Sequence, residues 1–211
     1  MNEFILLIQT ALISGVCLLA ARVSKEALVV LICLQAVLAN LLVLKQVYLF
    51  GLHVTCSDAF AIGSILSLNL LQERFGKEAS QKAIYLCFGS MLFFAISTQI
   101  HLFYTPSDLD TMHEHYARLL NPAPRLLIAS ILSFFLVQQF DVRLYAGLKN
   151  KLSNWRWSSR STLALLASQF LDTLLFSTLG LWGLVDSLPQ IFLFSYLMKV
   201  LIIGVIWILA R

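Results

Sequence analysis

The sequence predicts an all-α polytopic membrane protein, and three observations carry that prediction. Of 211 residues, 59% are hydrophobic and 12% charged, against the roughly 25% charge of soluble domains. Mean hydropathy is +0.84. The apolar residues fall in long runs instead of 3.6-period stripes, which excludes a soluble enzyme, a coiled coil and a disordered tail. A net charge of +4 would suggest nucleic acid in a soluble domain. Here the basic residues sit in short loops, so topology explains them and no nucleic-acid partner is expected.

Seven stretches reach the roughly 17–25 residues that a membrane-crossing helix needs. They are 4–21, 27–44, 52–72, 82–103, 123–141, 161–183 and 190–210. The first follows Glu3 and lacks a small-residue cleavage pattern, so it reads as a retained span. The second carries Asn40 near its end, with Lys45 beyond. The third is diluted in its outer half by Gly51, His53, Ser57, Asp58 and Gly63, and it closes on Asn69, Gln72 and Glu73. Arg125 opens the fifth, and Gln138, Gln139 and Asp141 end it. The sixth contains Gln169, Asp172, Thr173 and Phe176, and the seventh Lys199.

Lysine and arginine set the orientation. Arg22 and Lys25, then Arg74, Lys77 and Lys82, then Arg143, Lys149, Lys151, Arg156 and Arg160 fill alternate connections, and Arg211 closes the chain. The loops 104–122 and 184–189 are poor in basic residues. The positive-inside rule then places the N-terminus outside and the C-terminus in the cytoplasm.

Ionisable groups within spans are costly and mark function. Asp172 and Lys199 both fall near the middle of their spans, where mutual pairing is the economical arrangement. Gln169, Asp172, Thr173 and Phe176 lie within a sector of about 100° on one helix, a plausible pocket wall. Asn69, Gln72 and Glu73 share a second face and meet the ends of the fifth span, where Gln138 and Asp141 stand. Asn69, Gln72, Glu73 and Asp141, together with Arg125 at the start of the fifth span, are candidates for gate or coupling groups, and Gln138 belongs to the inner cluster. Asn40, Lys45, His53, Asp58 and Arg125 form an outer group. Polar residues at three levels suit a passage.

Cys17, Cys33, Cys56 and Cys87 lie in or beside apolar runs without a CxxC pair and read as small buried hydrophobes. The His113-Glu114-His115 spacing reads as a solvated loop. No metal site or cofactor is expected, and no HExxH, GxSxG, Walker or GxGxxG motif supports catalysis.

The ordered polar set resembles the queuosine precursor transporter family, part of a wider vitamin-uptake-transporter-like group. The stretches that carry the resemblance are A-N-L-L in the second span, N-L-L-Q-E-R-F-G-K-E-A at 69–79, and R-L-L-I-A-S with V-Q-Q-F-D-V in the fifth. S-Q-F-L-D-T-L-L-F at 168–176 and S-Y-L-M-K-V-L-I at 195–202 complete them. Where the family has a D-x-x-N-E-x-Y-G segment, this chain has Asn69, Gln72 and Phe75, a change that could mark a different ligand such as queuine.

The resemblance implies a six-helix transporter core at 27–211 preceded by an extra transmembrane helix and loop at 1–26. It also implies uptake of a 7-deazaguanine (queuine, preQ1 or preQ0) across the bacterial cytoplasmic membrane for tRNA modification. A carboxylate can accept the paired N–H donors of a guanine-like edge, and an amide or ammonium can donate to its carbonyl. The expected substrate-binding residues are therefore Asn40, Gln138, Gln169, Asp172, Thr173, Phe176, Tyr196 and Lys199, with an aromatic ring stacking on the base. The partners are this small molecule and the lipid bilayer, with homo-oligomerisation left open. The alternatives are the binding component of an ATP-driven vitamin importer and a membrane-embedded lipid-modifying enzyme.

Overall fold

The structure, a computed structural model, describes residues 1–42, 45–55, 57–120, 124–183 and 188–209. Among these, seven long helices form one bundle. They are α1 (Asn2–Val23), α2 (Lys25–Leu42), α3 (Asp58–Phe75), α4 (Lys77–Leu102), α6 (Pro124–Lys151), α7 (Trp157–Phe176) and α8 (Leu188–Leu209), with a short α5 (His113–Leu120) between α4 and α6. Five have the length and apolarity to cross a membrane: Asn2–Val23, Lys25–Leu42, Lys77–Leu102, Trp157–Gly180 and Ile191–Ile208. The other two, α3 and α6, carry more polar residues because neighbouring helices cover them. The protein is an all-α, multi-pass membrane protein.

Local chemistry explains the breaks. Ser24 is extended after α1, and its hydroxyl accepts the Ala27 N–H at 3.1 Å, capping the start of α2. Gly76 separates α3 from α4 with φ +86°, a conformation glycine adopts without a Cβ penalty. Asp110 Oδ1 accepts the N–H groups of Met112 and His113 and so starts α5 within the loop expected at 104–122.

Three expected boundaries change. The third span does not begin at residue 52. Residues 46–55 form a hairpin of β1 (Gln46–Leu49) and β2 (Leu52–Thr55), with Leu49 opposite Leu52. Its turn has positive φ at both Phe50 and Gly51, the twist that suits a two-residue hairpin loop. Asn2 Nδ2 donates to Tyr48 O at 2.8 Å, and the Phe50 N–H donates to Glu3 Oε1 at 3.1 Å, fixing the hairpin to the start of α1. The fifth span does not end at Asp141, since α6 runs on to Lys151. The sixth leaves α-helical geometry at Phe176 and continues as one π-helical turn, Ser177–Leu181.

The core centres on α3, which packs against α1, α2, α4, α6, α7 and α8. Its residues from Ile62 to Gln72 are all buried. Large apolar side chains such as Phe4, Leu12, Leu19, Phe93 and Ile96 are instead exposed around the bundle, as a lipid-facing surface requires. The N-terminal helix is an integral part of this packing. Cys17 Sγ accepts from Ser67 Oγ at 3.1 Å and Gln35 Nε2 at 3.4 Å, and its thiol donates to Gly63 O at 3.7 Å. Arg74 donates to Ala21 O. Cys17 and Cys87 are buried and Cys33 half-buried, all as free thiols. Cys56, Asp186 and Arg211 lie outside the described residues.

At Gly63 of α3, side chains of α1 and α2 lie directly against the helix backbone. A methyl group there would meet Gln35 Oε1 and Ile13 Cγ2, and small residues are what let membrane helices approach this closely. Gly63→Ala is expected to cost about 1–3 kcal/mol through overpacking, read as a lower unfolding temperature in detergent.

Candidate functional site

The polar interior divides into an upper cluster, a lower cluster and a sparsely satisfied zone between them. In the upper cluster Lys199, midway along α8, is buried between two acids. Its Nζ lies 2.6 Å from Asp172 Oδ2 on α7 and 3.7 Å from Asp58 Oδ1 at the start of α3. The expected Asp172–Lys199 pair is therefore formed, and a second carboxylate shares it. The ammonium side chain is 3% exposed, whereas Asp172 and Asp58 keep 18% and 16%. The carboxylates are thus more accessible than the amine they share. The formal charges of the three groups sum to −1.

On α7, Gln169 lies one turn before Asp172 and Thr173. It is fully buried, and neither its Nε2 nor its Oε1 has a hydrogen-bond partner among the described residues. A buried amide with both ends unmet is unusual, because such groups are nearly always satisfied. Thr173 turns its hydroxyl onto Gln169 O at 2.8 Å. Phe176 is half-buried one turn further on. Tyr196, one turn before Lys199, is engaged elsewhere: its hydroxyl donates to Leu166 O at 3.2 Å, and its ring meets Phe170 edge-on at 5.4 Å.

The lower cluster gathers on Glu73. Arg160 Nη2 of α7 lies 2.9 Å from Oε1, and Tyr145 of α6 donates to Oε2 at 3.1 Å. Lys149 of α6 lies 3.0 Å from Oε2 and also donates to the Glu73 carbonyl. One carboxylate thereby ties three helices together. The neighbouring arginines play no part in this cluster: Arg74 donates to Ala21 O of α1, and Arg143 is exposed.

Between the clusters, Asn69 donates to Ser161 Oγ at 3.3 Å and Gln72 to Val142 O at 2.9 Å. Asp141 is fully buried, accepting one hydrogen bond from Ser168 at 2.7 Å. It is mid-helix, because α6 continues for more than two turns beyond it. Asn69 Oδ1, Gln72 Oε1 and Asp141 Oδ2 have no partners among the described residues.

Gln138 and Asn40 stand apart from these groups. Gln138 Nε2 donates to Ser64 Oγ at 3.3 Å and lies 3.9 Å from Cys87 Sγ, joining α6 to α3 and α4. Asn40 donates to Ala36 O and accepts from Ser130 of α6, joining α2 to α6. The side chains of Arg125 and His53 lie outside the described residues. His113 and His115 are at the start of α5, and no group of metal-ligating residues occurs among the described residues.

Sequence reasoning placed Asp58 in an outer group and did not join it to Lys199. It also reads Lys149 and Arg160 as loop residues and gives no functional role to Tyr145 or Ser168. A carboxylate inside an apolar stretch was the available signal for Asp58.

A family model described as "Putative vitamin uptake transporter" matches residues 59–210. A probable queuosine precursor transporter of Bacillus subtilis (strain 168) is 29% identical over 181 residues, covering 83% of this chain and 78% of that protein. No solved structure matches the chain.

Proposed function

The chain belongs to the vitamin uptake transporter family, and from that premise we propose that it imports a 7-deazaguanine precursor of queuosine. It is a transporter and not an enzyme. The observation that carries the substrate reading is the shared ion pair of Asp58, Lys199 and Asp172 beside the unmet amide of Gln169. The relative from Bacillus subtilis, named for queuosine precursors, supports the same reading.

Asp172 suits the paired N–H donors of the guanine-like edge, since a carboxylate offers two acceptor oxygens in one plane. As the base takes Asp172, Lys199 moves towards Asp58 and donates to the base carbonyl. Gln169 then finds partners for its amide. Phe176 is placed to face the ring, and Thr173 lines the same side of α7. The net charge of −1 favours the bases with a cationic side-chain amine, queuine and preQ1, over the neutral preQ0. Asn40, Gln138 and Tyr196 support the helices around this site. Asn69, Gln72, Glu73 and Asp141 belong to the release path, and Arg125, at the opposite end of α6, to the outer gate.

The test is uptake in cells that lack queuosine synthesis and their own importers. Expression of this chain alone, with each base supplied, should restore queuosine in tRNA most strongly with queuine or preQ1. Rescue that requires added ATPase subunits would instead make the chain the binding component of an ATP-driven importer. Equal rescue by preQ0 would remove the charge argument.

In the bacterial inner membrane, the Glu73 cluster faces the cytoplasm and the hairpin faces outwards. A cysteine introduced within 107–116, in a background without the four native cysteines, is expected to react with an impermeant maleimide added to intact cells. One introduced within 152–156 is expected to react only after lysis. The opposite pattern would invert the orientation.

A further inference from the structure

We propose that Asp141 binds a proton that crosses the membrane together with the substrate. This rests on the transport reading above and adds the coupling ion to it. Asp141 is fully buried where α6 meets α7, and one of its oxygens has no partner among the described residues. Its other oxygen accepts only from the Ser168 hydroxyl, at 2.7 Å.

Among the described residues no cation pairs with Asp141. The charged groups brought near it by the packed helices have other partners; on α3 these include Asp58, held by Lys199, and Arg74, held by Ala21 O. From α7 come Arg160, which is bound to Glu73, and Asp172, which is bound to Lys199 of α8. From α3 comes Glu73, and from α4 the Cys87 thiol, which faces Gln138. On α6 itself, Tyr145 and Lys149 both point to Glu73, and Arg143 is exposed. A buried carboxylate without a cation is a strongly disfavoured state. A proton removes the charge and supplies a donor in a zone whose unmet side-chain atoms include the acceptor oxygens of Asn69, Gln72 and Gln169.

Position links this site to the substrate. Ser168 and Asp172 are four residues apart on α7, so they lie on one face about 5–6 Å from each other. Ser168 therefore stands between the proton site and the base site. When Asp172 exchanges Lys199 for the base, the field at Asp141 changes one helical turn away. The proton is taken from the outer solution onto the carboxylate and is released to the cytoplasm, regenerating the anion for the next cycle.

Two measurements test this on the full-length protein. The first is uptake of labelled preQ1 into proteoliposomes with a pH gradient, acidic outside. The wild type is expected to accumulate preQ1 several-fold above equilibrium, while Asp141→Asn shows no accumulation in response to the gradient. The second is infrared spectroscopy of purified protein without substrate, following the C=O band of a protonated carboxyl group across a pH titration. That band is expected to be present in the wild type and missing in Asp141→Asn, and Ser168→Ala should move the pH at which it disappears. Accumulation driven by sodium alone, a gradient response retained in Asp141→Asn, or an unchanged carboxyl band in that variant would each overturn the proposal. A wild type that takes up no base at all would overturn the transport reading, while the infrared band still decides whether Asp141 holds the proton.

Discussion

Lys199→Met is expected to destabilise the protein by about 3–5 kcal/mol, the cost of removing one partner from a buried ion pair. The ammonium is the only positive group between Asp172 and Asp58 among the described residues, and its loss leaves two carboxylates facing each other. Either acid can be neutralised more cheaply. Asp58→Asn leaves Lys199 with Asp172, and Asp172→Asn leaves it with Asp58. The expected order of unfolding temperatures in detergent therefore puts Lys199→Met lowest, with both acid variants above it. Adding Asp58→Asn and Asp172→Asn to Lys199→Met should recover much of the loss, because no lone charge remains. A Lys199→Met protein that unfolds with the parent would show that the cluster contributes nothing to folding.

Asp172→Asn is expected to fold and reach the membrane yet lose the base. The asparagine retains one acceptor oxygen but presents an N–H₂ group to the donor edge of the substrate. Two charge-assisted hydrogen bonds at about 1.5–3 kcal/mol each correspond to a hundredfold or larger loss of affinity. Binding of labelled preQ1 to the purified variant measures this directly, with the unfolding temperature as the control for structure. An affinity within threefold of the parent would confine the Asp172–Lys199 pair to a role in packing.

The pairing of Asp172 with Lys199 was legible in the sequence because a charge in an apolar run has few partners to choose from. Two ionisable groups at matching depth in consecutive spans leave little alternative. Asp58 was harder to place. The stretch 52–72 has the length of a span, and Phe50-Gly51 is not a turn signal of the Asn-Gly kind. The hairpin shortens the helix and makes Asp58 its first residue.

Asp141 was misplaced for a related reason. The run Gln138-Gln139-Phe140-Asp141 looks like the edge of a membrane segment, since polar residues commonly mark where a helix meets water. Here Ser64 of α3 and Ser168 of α7 meet Gln138 and Asp141 inside the bundle, so α6 passes through and extends to Lys151. Local composition cannot distinguish a polar group satisfied by water from one satisfied by another helix. The same extension brings Tyr145 and Lys149 to Glu73, an arrangement hidden when the helix is ended at Asp141.

The ends of α3 are held by different helices. Asp58 is its first residue and pairs with Lys199 of α8, whereas Glu73, near its last turn, is bound by Tyr145, Lys149 and Arg160 of α6 and α7. Fifteen residues of helix separate the two acids, about 22 Å at 1.5 Å per residue. A helix of that length behaves as a stiff rod, and this one has neighbours on every side. It cannot tilt far enough to release Lys199 at one end without loading the three-helix knot at the other. The two ends of the polar interior are joined mechanically by a single connecting rod, so a displacement at one is felt at the other without any message passing through the side chains between.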